Sequence, residues 1–368
     1  MKLRFSLGCF GFAVWLFLMA VPLAGMTLAA PSWQAEWERV LAAAKREGVV
    51  SILGTTGVEI RDALTQPFQK AYGIRVDYLG GSGSQQSSRV AVERRAGSYL
   101  WDVFVGGTTT GLASMIPRKA FAPMEPALIL PEVTDPKNWR GGGIEFVDPG
   151  RQMVVMTPNH RILLVVNAEA ADPKSFKSYR DLLDPKWKGR IAMDDPRRSG
   201  PGQASFTFFY LHPDLGPDFI RALARQEPLI FRDPSQLINL IGQGKYPILI
   251  GPRDTMLADA MSRGIPIKIV GPNLLREGSD ISPGAGNVAM FDRAPHPNAV
   301  KVYLNWLLSK DGQTGVARAL DAVSNRLDAP RDHAPDWKVP QAGAIKTYTP
   351  QAMEVKGDLV KLLNEVFH

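Results

Sequence analysis

Apolar and polar residues alternate along this chain in a recurring order of helix, strand, loop and helix. Between positions 33 and 47, Trp37, Val40, Leu41 and Ala44 fall on one helical face, and Gly48 ends the pattern. A short apolar run at 49–53 predicts a strand, followed by the loop Gly54-Thr55-Thr56-Gly57. Ile60, Leu64 and Phe68 mark a second helix that stops before Gly73. Positions 74–79 alternate as a strand does, and Gly80-Gly81-Ser82-Gly83-Ser84 follows them. A helix runs through Arg89, Val92 and Arg95, then comes a strand at 103–105 and the loop Gly106-Gly107-Thr108-Thr109-Thr110. Three strands, each followed by a small-residue loop and a helix, predict a parallel α/β sheet. Ligands of such sheets sit at the carboxyl ends of the strands, in those loops.

After a Pro- and Gly-rich excursion at 121–150 the pattern restarts. A strand is expected over 161–167 and another over 191–193, then helices from about Gln203 and through Leu237 and Ile241. A strand at 247–250, a helix at 255–263 and strands at 267–270 and 287–291 follow. Ala299, Val302, Tyr303, Trp306 and Leu307 define an amphipathic helix, and a final helix begins near Gln351. A second α/β lobe is the expectation.

The amino terminus reads differently. Lys2 and Arg4 precede an apolar run at 7–23, and small residues cluster at Thr27, Ala29 and Ala30. That order is a secretory signal peptide, with cleavage expected after Ala29 or Ala30. Cys9, the single cysteine of the chain, lies inside it. The mature chain therefore lacks disulfides and any thiol nucleophile. Its size of about 340 residues is a prior of two domains, large enough to be stable without covalent staples. The charge balance is 43 basic residues against 36 acidic, a net +7 with two of the cations in the leader. The charges are dispersed, so nucleic-acid binding is not expected.

Four segments resemble one family. Glu93-Arg94-Arg95-Ala96-Gly97 with Trp101-Asp102-Val103 is the first. The run from Tyr179 through Asp184-Pro185-Lys186-Trp187-Lys188-Gly189 to Ile191 is the second. Ala294-Pro295-His296-Pro297-Asn298 with Asn305-Trp306-Leu307-Leu308-Ser309 is the third, and Ser324-Asn325-Arg326 the fourth. In this order they resemble the extracellular solute-binding proteins of ABC importers, in the branch of ferric-iron, phosphonate and thiamine binders. The resemblance implies a two-lobed type II periplasmic binding fold, α/β in both lobes, with each central sheet flanked by helices and hinge strands between. It implies a monomer that carries a small-molecule ligand to the permease's transmembrane subunits in the periplasm. With crossings near 154–167 and 283–291, the first lobe would comprise 31–155 and 283–328 and the second 156–282. The tail, 329–368, would pack on the second lobe.

Candidate ligand-binding residues lie in the loops. Thr55 and Thr56, then Ser82, Gly83 and Ser84, then Gly107, Thr108 and Thr109 end the three first-lobe strands. Thr55-Thr56 is read as ligand contact or as an ordinary loop with a helix cap. Backbone N–H groups of 82–84 facing one point would cradle an anion, or the segment is a plain flexible turn; 107–109 is read as ligand contact in the same way. In the second lobe, Asp194-Asp195-Pro196-Arg197-Arg198-Ser199 separates a strand from a helix. Arg197, Arg198 and Ser199 either meet an anion there or, in the arginines' case, pair with the two aspartates. Arg253 and Asp254 follow another strand; Arg253 is the cation expected to close on the ligand, or the two form a solvated pair.

Ferric binders of that branch use adjacent tyrosines, near the segment that here reads Arg253-Asp254-Thr255-Met256. This chain has no Tyr-Tyr pair, and Tyr210 and Tyr246 stand alone. His160, His212, His296, His333 and His368 are not at metal-ligand spacing. The reading thus calls for no metal, no cofactor and no catalytic residue, and for an anionic or oxygen-rich ligand. Iron or an iron chelate is the alternative, and a periplasmic ligand-sensing subunit of a membrane receptor is another. Nucleotide-binding and nucleophile-elbow motifs are missing.

Overall fold

The computed structural model describes residue 1 and residues 32–367, apart from Ser199, Arg232, Arg253 and Ala342. The leader expected over 1–30 therefore lies outside the described residues, but for Met1. So do the candidates Ser199 and Arg253. Asp254 enters only as the first residue of the helix Asp254–Ser262.

Two sheets form around two apolar clusters. In the first, strands are ordered Arg75–Gly80, Val49–Gly54, Val103–Gly106, Asn287–Phe291 and Phe121–Ala122, with Met153–Val155 also paired to Asn287–Phe291. The first three run parallel, in the register Ile52 to Val103 and Val50 to Val76. Val103, Phe104 and Val105 are wholly buried, as expected of a central strand covered on both faces. Helix Trp33–Glu47 starts at Ser32, whose hydroxyl accepts from the Ala35 N–H, and stops at Gly48 in the left-handed conformation. It packs on helix Pro297–Leu307. Phe68, Tyr303 and Trp306 make a ring cluster there, with centroids 4.9–5.3 Å apart.

The second sheet is ordered Ile267–Ile269, Leu164–Asn167, Ile248–Ile250, Ile191–Asp194 and Leu229–Phe231. Leu164–Asn167 runs antiparallel to both of its neighbours, whereas Ile248–Ile250, Ile191–Asp194 and Leu229–Phe231 are parallel. This mixed sheet differs from a purely parallel one because its first strand enters directly from the crossing rather than through a helix. Asp184 caps the turn beneath it, accepting from the Lys186 N–H, and Trp187 stacks on Phe176 at 5.9 Å. That segment is a packed turn.

The chain crosses between the sheets on a two-stranded antiparallel ladder, Asn159–His160 against Ile281–Ser282. The carboxyl-terminal segment returns to it: the Ile281 N–H donates to the Ile345 carbonyl at 2.8 Å, and Ile281 bridges Lys346 in parallel. The last helix, Lys356–Val366, buries Leu359, Leu362 and Leu363 against helices Pro201–Leu211 and Gly216–Ala224 of the second lobe. Among the described residues no helix is long and apolar enough to cross a membrane.

Candidate functional site

The loops that end the three parallel strands form one continuous rim. Gly54 makes room for Tyr78, since a Cβ there would lie 2.3–2.4 Å from the phenol's hydroxyl and ring and would push the side chain aside. The Tyr78 hydroxyl donates to the Thr55 carbonyl at 2.5 Å and fixes the Thr55-Thr56 loop against the neighbouring strand. Burial pushes that phenol up to about 12, against the opposing charge of Arg61. Gly83 packs on Thr110, where a Cβ would lie 2.1 Å from Oγ1, so the second and third loops touch. Asn287 donates to Thr108 Oγ1 at 3.0 Å and to the Gly284 carbonyl at 3.3 Å, tying the third loop to the returning strand.

Ser82 caps the helix Gly83–Arg95, so the segment is more ordered than a plain flexible turn. Ser82 accepts from the Gln85 N–H, and the Ser82 N–H donates to Gln85 Oε1 at 2.8 Å. This capping box uses one of the three N–H groups expected to face an anion.

In the second lobe, Asp194 Oδ2 accepts from the Gly202 N–H at 2.9 Å. A Cβ on Gly202 would meet the Asp194 carbonyl at 2.4 Å, and one on Gly251 would meet Gly202 Cα at 2.9 Å. These two close approaches set the start of helix Pro201–Leu211. Arg197 turns to Asp195: its Nε lies 2.8 Å from Oδ1, and its third nitrogen donates to the Phe367 carbonyl at 3.0 Å. Asp195 holds the guanidinium above its usual pKa. Arg197 is therefore a clip between the 195–197 loop and the carboxyl terminus. Arg198 is exposed.

Between the lobes lies a cleft of about 260 Å³. Thr108 and Thr109 line it from the first lobe; Gly200, Pro201, Gln203 and Thr207 line it from the second. Arg161, Ser282 and Gly284 come from the crossing region, and Thr347, Tyr348 and Lys356 from the tail. Of the residues picked out from the sequence, Thr108 and Thr109 meet here. Thr55, Thr56 and the 82–84 loop stand on the same rim, while Arg197 and Arg198 are not part of the lining. Arg161, Gln203 and Lys356 carry the polar character of the cleft, and sequence reasoning missed all three. Arg161 had a visible signal, as a lone charge at the head of the apolar run toward Asn167. Lys356 had none, being one lysine on a terminal amphipathic helix.

The described lining holds two cations and no carboxylate. Arg161 is balanced by Asp280 just behind it, with Nε 2.9 Å from Oδ2. Lys356 is half-buried and has no hydrogen bond or ion pair among the described residues. Burial pushes its ammonium below the usual lysine pKa. Such a cation gains from an incoming negative charge. No cluster of three or more His, Cys, Asp or Glu side chains that could hold a metal occurs among the described residues. The Tyr348 hydroxyl donates to Glu145 at 2.6 Å, and burial with the Glu145 charge drives its pKa far up, away from a phenolate ligand.

Residues 63–346 match the family model of the bacterial extracellular solute-binding protein. The chain belongs to that family. Solved structures agree with the architecture of this solute-binding protein. IdiA (FutA) of Trichodesmium, in complex with iron and citrate, is 17% identical with a TM-score of 0.63, over 87% of this chain and 99% of that one. The apo ferric ion-binding protein A of Pasteurella haemolytica is 16% identical with a TM-score of 0.64, over 87% and 98%. AfuA of Actinobacillus pleuropneumoniae, with fructose-6-phosphate bound, is 16% identical with a TM-score of 0.59, over 87% and 97%. At these identities the likeness carries the fold alone: a two-lobed binding protein. No curated protein matches the sequence.

Proposed function

We propose that this solute-binding protein is the capture component of an ABC importer and that its solute is a small anion held between the lobes. In this reading the leader is cleaved near Ala29 or Ala30 and the mature protein works in the periplasm. The first lobe comprises 31–155 and 283–328, the second comprises 156–282, and the tail 329–368 packs on the second. The solute is bound and released without turnover.

The observation that supports the anion is the cleft lining: Arg161 and Lys356 face it with no carboxylate among the described lining residues. Gln203, Thr108 and Thr109 add neutral donors for oxygen atoms. Closure about the Asn159–His160 and Ile281–Ser282 ladder would bring the rims together on the ligand and shift the population toward the form a permease recognises. Ligands of this kind occur in two of the similar structures, one with iron and citrate and another with fructose-6-phosphate. A negatively charged ferric chelate suits a cationic lining better than a bare ferric ion does, since no cluster of acidic ligands occurs among the described residues.

The test is thermal unfolding of the mature protein against a phosphonate, a sugar phosphate, a dicarboxylate, ferric citrate and a polyamine. One anionic class should raise the midpoint and the polyamine should not. Stabilisation by the polyamine alone, or chemical turnover of any compound, contradicts the reading.

A further inference from the structure

A second cavity, of about 380 Å³, lies behind the crossing segment. Ile281 and Lys346 line it, while their immediate neighbours Ser282 and Thr347 line the cleft. Successive residues of an extended strand point to opposite faces. The two cavities therefore stand back to back, with the hinge ladder and the 345–347 segment as their common wall.

Three charged side chains reach this cavity, and two of them neutralise each other. Lys346 pairs with Glu145. The same carboxylate accepts from the Tyr348 hydroxyl at 2.6 Å and from the Asn325 amide at 3.4 Å, and its charge is matched by Lys346. Arg140 is different. Its Nε is buried with no hydrogen-bond partner, and the side chain makes no ion pair among the described residues. Burial, and after it the charge of Arg331, pushes this guanidinium below its usual pKa, the direction expected of a cation short of an anion. No hydrogen bond or ion pair of the guanidinium's terminal nitrogens occurs among the described residues either, so this charge on the cavity lining is unmatched. Pro158, Ile281, Pro340 and Ala344 give the cavity an apolar wall, and Gln341 and Tyr348 also line it.

We propose that this cavity is a second binding site, distinct from the cleft, that takes a small monocarboxylate with a short apolar body, its carboxylate paired with Arg140. One unmatched positive charge asks for one negative charge. The planar fork of a guanidinium matches the two oxygens of a carboxylate. The volume exceeds what a bare inorganic ion fills and falls within the range of small-molecule sites, and the apolar walls suit a hydrocarbon portion. Because the wall is the hinge itself, an occupant braces the crossing strands. Its binding and solute binding in the cleft are then coupled, with equal factors in both directions.

The experiment is ligand-observed NMR titration of the mature protein with butyrate at fixed ionic strength, with butanol and chloride as controls. Butyrate should bind saturably and butanol should not. Arg140→Gln should weaken butyrate by about tenfold or more, the loss expected for a charge-assisted pair. Ala344→Phe, which fills the cavity and leaves the guanidinium in place, should abolish binding, and Lys356→Gln in the cleft should leave it unchanged. Should either cavity variant fail to fold, judged by circular dichroism, the other decides. The proposal is overturned if wild type shows no saturable binding, if a folded cavity variant keeps full affinity, or if Lys356→Gln removes it.

Discussion

Arg161 and Asp280 join the two crossing strands through one ion pair, with Arg161 Nε 3.0 and 2.9 Å from the two carboxylate oxygens. Arg161 directly follows the strand Asn159–His160, and Asp280 directly precedes Ile281–Ser282. The Thr347 hydroxyl donates to the same carboxylate at 2.5 Å, which adds the tail to the junction. Asp280 is fully buried, while the guanidinium reaches the cleft. Crossing strands and cleft lining thus share one charged network, and in the proposed reading a solute that draws on Arg161 would act directly on the crossing.

Replacing Asp280 by Asn should therefore be costly. It keeps the shape but removes the charge that balances a partly buried guanidinium and lets the Thr347 interaction weaken. Breaking one side of such a pair is expected to lower stability by about 3 kcal/mol. The midpoint of urea unfolding reads this; a change under about 1 kcal/mol would mean that solvent already carries the Arg161 charge.

Lys356→Gln should move stability and binding in opposite directions. The lysine sits half-buried with its ammonium held below its usual pKa by burial, so its charged form is penalised in the empty protein. Removing the charge should leave the apo protein unchanged or slightly more stable. Affinity for an anionic solute should fall about tenfold or more, the weight of one desolvated charge-assisted hydrogen bond. Thermal unfolding with and without ligand separates the two effects.

Arg197 contrasts with Arg161, which lines the cleft. Its guanidinium is committed to Asp195, which is almost wholly buried, and to the Phe367 carbonyl. Arg197→Gln should destabilise the protein by about 2 kcal/mol, through loss of the guanidinium's bonds to Asp195 and to the Phe367 carbonyl, while leaving solute affinity within about twofold. Calorimetric titration of the folded variant checks this, and a large affinity loss at unchanged stability would place Arg197 in the site.

The pH dependence follows from His160. The ring is buried, with Nδ1 3.1 Å from the Ser279 carbonyl and Nε2 accepting from the Gln341 N–H at 3.4 Å. Those partners require the neutral ring with its proton on Nδ1. Burial lowers its pKa from the ordinary 6.5, and this outweighs the opposing effects of the Ser279 carbonyl and Asp280. A folded pKa below the unfolded one means that the unfolded chain takes up the proton first. The stability contribution is then full above the unfolded value near 6.5 and is lost as pH falls through the folded value. Unfolding midpoints measured across that window should drop, and His160→Gln should flatten the slope there.

Local pattern made much of the fold legible. The helix Trp33–Glu47, the three parallel strands and the strand Asn287–Phe291 all follow from periodicity and from glycines placed at their ends. The direction of Leu164–Asn167 did not follow, because a strand buried on both faces has the same apolar run in either orientation. The site was harder. Loops at strand ends could be named from the order of elements, and Thr108 and Thr109 do line the cleft. Whether Arg197 faces ligand or Asp195 depended on a side-chain choice that both patterns allow. Arg161 matters through Asp280, 119 residues away, and Lys356 through the path of the tail across the second lobe. Neither long-range contact leaves a periodic signal.

The central claim, a cationic interlobe cleft that captures an anion, is tested most directly by isothermal titration of the best-stabilising solute into wild type and Lys356→Gln at low and high salt. The account predicts one site per chain, affinity that falls with salt, and a loss of about tenfold or more in the variant. Equal affinity for the two proteins, with no dependence on salt, would contradict it.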